Sequence, residues 1–498
     1  MRSIIDSEKD RWTDIKLPKV FFIILLVLYA AFHIYVIQYH EAWRDEAQAW
    51  TIAKNTSLRE MFSLLSVEGH PALWFLFLRF FAKLGLSYPY ISYLSLALMT
   101  AALALLFFKS PFPDVVKFLL SLGAVFFYFY SVVSRVYAMV VLIVILLAVY
   151  WPQKYEKPIL YGILIALLFQ THIVMSGMAI GLMLCMLIRC TKKEWRTKRQ
   201  ITGTAIAFLS LCLLILELLP AKDAPASISV SVKDVLSQLN IQSLYTSLCV
   251  IYSLIFHSFF ESVPLQLKMA LLLAVITAVL AIIVIKKQFP HLSEALFVWI
   301  CGLGAVIIIV GFIYSGTREM HFLCHLISLF AAWAIYTDAN DRTVKTVVAC
   351  LACVLSLMTT NMWIDMEVFD IRNAYSGAKS ISIMIRDELP ENSVILVNDE
   401  PFNVSALAYT EAYRDDIRLY NVDTDAPFSC YTWKRDHPPK TAEDIEQLVG
   451  EVFPEQKNIF LLLSDGDSSG DIADSYEMTA ETPPGSLADE NFRLFKIR

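Results

Sequence analysis

Asp45 and Glu46 are adjacent acids in His40 to Trp50, HEAWRDEAQAW, the stretch that follows the apolar run Val20 to Ile37. Charge this dense beside a membrane-length segment is costly unless it meets water or a polar ligand, so it marks a place for chemistry. An interfacial anchor, with Trp43 and Trp50 in the headgroup belt and the charges solvated, is the competing reading. A carboxylate within about 3 Å of a hydroxyl can remove its proton as a general base. Neighbouring side chains on a helix point about 100° apart, so the two acids do different work. Asp45 is the candidate base; Glu46 is left to orient it, to bind a hydroxyl or to help hold a cation. For Asp45 alone, a helix cap or an ion pair with Arg44 would serve as well.

Further polar motifs interrupt otherwise apolar sequence. Glu68-Gly69-His70-Pro71 places a carboxylate and an imidazole at a helix-breaking turn. Ser134-Arg135-Val136-Tyr137 heads a run of Val, Leu, Ile and Met, where a lone arginine commonly snorkels to the headgroups. Gln170-Thr171-His172 separates two apolar runs, and hydrogen bonding between helices is its plainer role. Thr317-Arg318-Glu319-Met320-His321 puts Arg318 and His321 on one helix face, with His325 a turn deeper. Guanidinium and imidazole together suit a phosphate, the first supplying paired charge-assisted donors and the second one more. Snorkelling explains each arginine singly but not acids, histidines and arginines gathered at one level.

The elements that must position these residues are membrane helices. Of 498 residues 57% are hydrophobic and 18% charged, far more apolar surface than one soluble core can bury. The composition predicts a polytopic α-helical membrane protein. The net charge of −6 is unevenly spread, basic in short loops and acidic towards the C-terminus, and gives no support for nucleic-acid binding. The nine cysteines show no His/Cys ligand spacing; those in the apolar runs read as packing residues, and Cys430 lies in the polar C-terminal region. Lys9, Arg11, Lys16 and Lys19 precede Val20 to Ile37 without a small-residue cleavage site, as in an uncleaved first helix.

Candidate spans are Val20 to Ile37, Tyr90 to Phe108, Val115 to Tyr130, Val133 to Trp151, Ile159 to Thr171, Ile173 to Ile188, Ile201 to Leu219, Lys268 to Ile285, Ala295 to Ile313, Phe322 to Tyr336 and Val344 to Met362, about eleven helices. With the N-terminus in the cytoplasm every inner loop is basic. The acid, histidine and arginine motifs, the loop Pro220 to Pro264 and the C-terminal region then all fall on the outer side. The chain divides into residues 1–362, a transmembrane domain, and 363–498, an extracytoplasmic α/β domain. In the first outer loop, residues 39–89, Trp43, Ala47 and Trp50 form one apolar stripe, which predicts a helix lying along the membrane. In the C-terminal region Ala378 to Leu389 and Thr441 to Val452 read as helices, and Ser393 to Val397, Ile417 to Val422, Ile459 to Leu463 and Phe492 to Ile497 as strands. Ser464-Asp465-Gly466-Asp467 reads as a plain loop.

Trp43-Arg44-Asp45-Glu46-Ala47 followed by His70-Pro71-Ala72-Leu73, and more weakly Arg135 and Arg318, resembles the GT-C glycosyltransferases. The likeness is to the bacterial relatives of protein O-mannosyltransferases and aminoarabinose transferases, of the glycosyltransferase family 39 type. It covers the membrane part, about three quarters of the chain by its division at residue 362. The resemblance implies a GT-C fold in the plasma (inner) membrane. It implies inverting transfer of one sugar from a polyprenyl-phosphate donor to an acceptor that is protein, lipid or cell-wall polymer. Asp45 is then the base, with Glu46 beside it; Arg318, Arg135 and His321 hold the donor phosphate. Arg44, Glu68, His70, Tyr137 and His172 fall to substrate binding. Some relatives carry a second acid after the third span, whereas Ser131 to Val140 contains none. No cofactor is implied, and no ligand spacing supports a divalent cation. A transporter or flippase of polyprenyl-linked lipids, gripping phosphate without bond formation, competes with the enzyme. So does an assembly protein whose membrane part is only a scaffold.

Overall fold

The computed structural model describes residues 15–127, 129–193, 196–219, 289–309, 318–357, 359–398, 401–431, 440–465, 472, 475–484 and 488–498, and of residues 289–291, 318–321 and 361–362 the backbone alone. The predicted span Lys268 to Ile285, the loop Pro220 to Pro264 and the end of the span Ala295 to Ile313 lie outside the described residues.

The chain is mostly helical, with a small C-terminal sheet. Among the described residues four segments are long and apolar enough to cross a membrane: Lys19–Tyr39, Tyr88–Lys109, Ile173–Thr191 and Lys198–Glu217. They contain the helices α1 (Lys19–Tyr39), α5 (Ser92–Lys109), α9 (Ser176–Thr191) and α10 (Lys198–Glu217). Between α1 and α5 come three shorter helices, α2 (Arg44–Asn55), α3 (Leu58–Glu68) and α4 (Leu73–Lys83). The rest of the bundle is α6 (Asp114–Leu120), α7 (Tyr137–Tyr150), α8 (Pro158–Phe169), α11 (Phe289–Ile308), α12 (Arg318–Asp338), α13 (Arg342–Leu357) and α14 (Thr360–Arg372).

The apolar run Val115 to Tyr130 is not one helix, contrary to its hydropathy. Helix α6 stops at Leu120 and irregular backbone follows, because neighbouring side chains take over its hydrogen bonds. Ser356 Oγ donates to the Leu120 carbonyl at 3.0 Å and Trp363 Nε1 to the Leu122 carbonyl at 2.7 Å, while Thr359 Oγ1 accepts from the Ala124 N–H at 2.9 Å. The compositional boundary at residues 362 and 363 falls inside α14, and that helix packs on α1.

Beyond α14 lie α15 (Ala378–Glu388), β1 (Val394–Val397), α16 (Val404–Tyr413), β2 (Arg418–Asn421), β3 (Ala426–Pro427), α17 (Ala442–Val452), β4 (Ile459–Ser464), β5 (Glu477–Glu481) and β6 (Phe492–Lys496). Strand order is β3-β2-β1-β4-β6-β5, with β2, β1 and β4 parallel and the outer strands antiparallel. One face, with Ile395, Val397, Leu462 and Leu494, joins α15 and α16 in an apolar core continuous with that of the bundle. The other, with Leu396, Leu461 and Phe495, packs on α17.

Helix α2 departs from the sequence expectation. It does not lie at a surface: Glu46 through Ala53 are all buried, because α4 packs on one side and α16 of the sheet domain covers the other. Trp43 and Trp50 are likewise enclosed rather than set in a headgroup belt.

Packing within the bundle is closest where glycines meet. A Cβ on Gly162 of α8 would strike the Gly203 backbone of α10, and one on Gly203 would strike the Pro158 carbonyl. Gly162→Val should force these helices apart, since overpacked interfaces typically cost about 1–3 kcal/mol. The expected result is a lower unfolding temperature in detergent; an unchanged melting curve would show that the helices can separate freely.

Candidate active site

The first-loop helices begin where local chemistry requires. Asp45 and Glu46 occupy the first turn of α2, where acids meet the positive end of the helix dipole. Ser57 and Glu60 close a capping box at the start of α3, each side chain bonding the other's backbone N–H. Gly69 ends α3 at φ 69°, a left-handed position that glycine takes without strain. The chain then turns through His70-Pro71 into α4.

Glu46 is fully enclosed and its hydrogen bonds are used for construction. Its Oε2 accepts from the Trp43 N–H at 3.2 Å and lies 3.1 Å from His40 Nε2; its Oε1 accepts from the Ser134 N–H at 2.5 Å. His40 Nδ1 meets Asp370 Oδ2 of α14 at 2.9 Å. Burial alone would lower the His40 pKa, but Asp370 and then Glu46 outweigh it and lift it to about 10. The ring is thus a buried imidazolium between two carboxylates, one at each nitrogen. The arrangement fixes the end of α1, the start of α2, the approach to α7 and α14 together.

Asp45 points elsewhere. Its side chain is 25% exposed and pairs directly with Arg135, while Arg44 Nε stands 3.8 Å away on its other side. Arg44 itself faces the sheet domain: its Nη1 bonds Asp489 at 2.5 Å, its backbone N–H donates to Glu490 Oε1 at 3.0 Å, and its guanidinium lies over the Phe402 ring. Ser376 and Ser405 donate to the other Glu490 oxygen, and burial pushes that carboxyl up to about 7. Tyr409 Oη accepts from the Ala42 N–H at 2.9 Å. Arg44, expected at the substrate, docks the C-terminal domain onto the helix that carries Asp45.

The turn after α3 meets the break between α8 and α9. The Leu73 N–H donates to the Gln170 carbonyl at 3.3 Å, and the His70 and His172 rings lie 5.2 Å apart by their centroids. Tyr137, in the first turn of α7, lies 5.5 Å from the His172 ring. Burial raises the Glu68 carboxyl to about 8; Gln48 Nε2 holds both its oxygens, at 2.9 and 2.8 Å, and so opposes that rise. Burial, and then the Arg135 charge, drives His70 down to about 3. Burial, His70 and Arg135 together hold His172 well below its ordinary value. Asp45, Glu68, His70, Arg135, Tyr137 and His172 are therefore one cluster.

Arg318 and His321 stand in the first turn of α12, and their side chains lie outside the described residues. The next residue, Phe322, packs 6.2 Å from Tyr130, whose ring stacks at 5.2 Å on Tyr137. Among the described residues no group of three His, Cys, Asp or Glu side chains converges as a metal site. A cleft of about 440 Å³ in the sheet domain, lined by Asp465, Glu481, Asn491 and Arg493 among others, contains none of the candidate residues.

Comparison with protein-family models and with curated proteins gives no match. What the site can do rests on its geometry. It offers a partly open carboxylate paired with a guanidinium, beside two imidazoles whose pKa burial lowers and a carboxyl whose pKa burial raises.

His40, Asp370, Gln48, Tyr409 and Glu490 were not singled out from the sequence. His33 and His40 stand seven residues apart, and Glu367 and Asp370 three apart; His33 Nε2 lies 3.3 Å from Glu367. That pairing of two histidines with two acids was a usable signal. His40→Gln should cost about 3 kcal/mol, because it leaves two buried carboxylates without their cation. With a folded pKa of about 10 against 6.5 unfolded, the His40 contribution is complete below about pH 6.5 and is lost as pH rises through about 10. Thermal unfolding of wild type and His40→Gln across that range should give curves that converge at the alkaline end. Parallel curves would exclude a charged imidazole.

Proposed function

We propose that the chain is an inverting GT-C type glycosyltransferase. In this reading about eleven helices cross the plasma (inner) membrane, the N-terminus is cytoplasmic, and the α/β domain lies on the outer face. The donor is a polyprenyl-phosphate sugar, and the acceptor is a hydroxyl or similar group of a protein, lipid or cell-wall polymer. The observation that carries the proposal is the division of labour between the two adjacent acids. Glu46 is locked into the frame by three hydrogen bonds, while Asp45 stays partly open and ion-paired with Arg135.

The acceptor oxygen, with the base beside it, must approach the anomeric carbon from the side opposite the leaving phosphate. With Arg135 in contact with Asp45, no sugar ring fits between them. The donor phosphate therefore draws Arg135 away from Asp45, freeing the carboxylate as it gains the cation. Asp45 then takes the acceptor proton, the acceptor oxygen bonds to the anomeric carbon, and the carbon–oxygen bond to phosphate breaks. The electron pair leaves with polyprenyl phosphate, whose charge Arg135, Arg318 and His321 stabilise. Glu68, His70, Tyr137 and His172 line the sugar side.

Purified protein incubated with a panel of polyprenyl-phosphate sugars should release free polyprenyl phosphate. Asp45→Asn should slow that release by about 10²–10⁴-fold, the usual contribution of a general base. Donor crossing vesicle membranes intact would favour a flippase, and an Asp45→Asn enzyme of full activity would remove Asp45 from the chemistry.

A further inference from the structure

We infer that His70 and His172 together form a hydroxyl-binding subsite that reads the transferred sugar, which makes them the specificity-determining residues of the proposed transferase. The inference rests on that functional reading but is carried by separate observations. His172 Nδ1 accepts from the Val174 N–H at 3.2 Å, which places the ring proton on Nε2. That Nε2–H is buried and has no partner among the described residues, and the residue as a whole is 1% exposed. His70 Nδ1 is likewise buried without a partner among the described residues, on a ring whose centroid lies 5.2 Å from that of His172. Buried polar atoms are almost always satisfied, and two orphans on neighbouring rings from different chain segments point to a ligand that reaches both.

The chemistry of that ligand follows from the donor set. His172 offers a donor and neutral His70 Nδ1 a donor or an acceptor according to its tautomer; a hydroxyl, which both accepts and donates, serves either. A divalent cation fits poorly, since the Arg135 charge beside both rings repels a metal ion. Glu68, the nearest acid on the same loop, already has both oxygens on Gln48. The Tyr137 ring, 5.5 Å from His172, supplies an apolar wall against which a sugar ring can lie. The subsite therefore takes a neutral sugar that carries a free hydroxyl at the position presented to these rings.

The test is imidazole nitrogen NMR on the full-length protein in lipid nanodiscs with ¹⁵N-histidine. The resonances are assigned through His70→Asn and His172→Phe, and methyl glycosides of several neutral hexoses are added. Shifts of His172 Nε2 and His70 Nδ1 with at least one glycoside, and none with polyprenyl phosphate alone, are expected. In turnover, a deoxy donor lacking the recognised hydroxyl should react at least about tenfold more slowly than its parent, and either variant should lose that preference. Donor cleavage with immobile ring signals and unchanged preference in both variants would overturn the subsite and leave the transferase standing. Ring shifts with glycosides but no cleavage of any donor would do the reverse. Shifts with Zn²⁺ or Mn²⁺ alone, or a direct bond between the two rings that no glycoside disturbs, would also overturn it.

Discussion

The architecture depends on one buried cation. The His40 ring lies between Glu46 and Asp370, at 3.1 and 2.9 Å, where the chain leaves its first long apolar helix. Two carboxylates enclosed together would be intolerable without a positive partner, and a lone imidazole in the same place would stay neutral. Each group makes the others possible. Because Glu46 also bonds the Trp43 and Ser134 N–H groups, the clamp fixes the starts of α2 and α7 relative to each other. Asp45 lies within two residues of the first anchor point and Arg135 directly after the second, so their meeting is set by backbone already held in place.

Much of the fold was legible in the sequence. The apolar runs Val20 to Ile37 and Ile201 to Leu219 return as α1 and α10, and the C-terminal strands around Val394, Leu419, Phe460 and Leu494 fall where alternation and β-branching put them. The failures have physical causes. Val115 to Tyr130 is apolar enough for a helix, but its backbone bonds are taken by Ser356, Thr359 and Trp363, more than two hundred residues later. The stripe of α2 suggested a membrane surface because a sequence window does not reveal that α16 will cover the opposite face. Helix α16 itself was not read, since it is buried nearly all round and carries no amphipathic period.

The site was legible residue by residue but not in its roles. Asp45, Arg135, Glu68, His70, Tyr137 and His172 stand out as polar groups in apolar surroundings, and they do come together. The sequence singles out Asp45 as the base and leaves Glu46 to orient it, but it does not show the His40 and Asp370 contacts that fix Glu46. The employment of Arg44 in docking depends likewise on Asp489 and Glu490, near the far end of the chain.

Those separations have a temporal meaning. His40 waits for Asp370, 330 positions further on, and the Arg44 N–H waits for Glu490, 446 positions further on. A ribosome delivers the chain from its first residue, so the acidic turn after the first helix stays incomplete through most of synthesis. Contacts of this span make assembly slow and leave intermediates exposed to misfolding and to quality control. Loss of the last dozen residues would remove a keystone that Arg44 and α2 require, so a chain cut short there would be expected to fail as a whole protein.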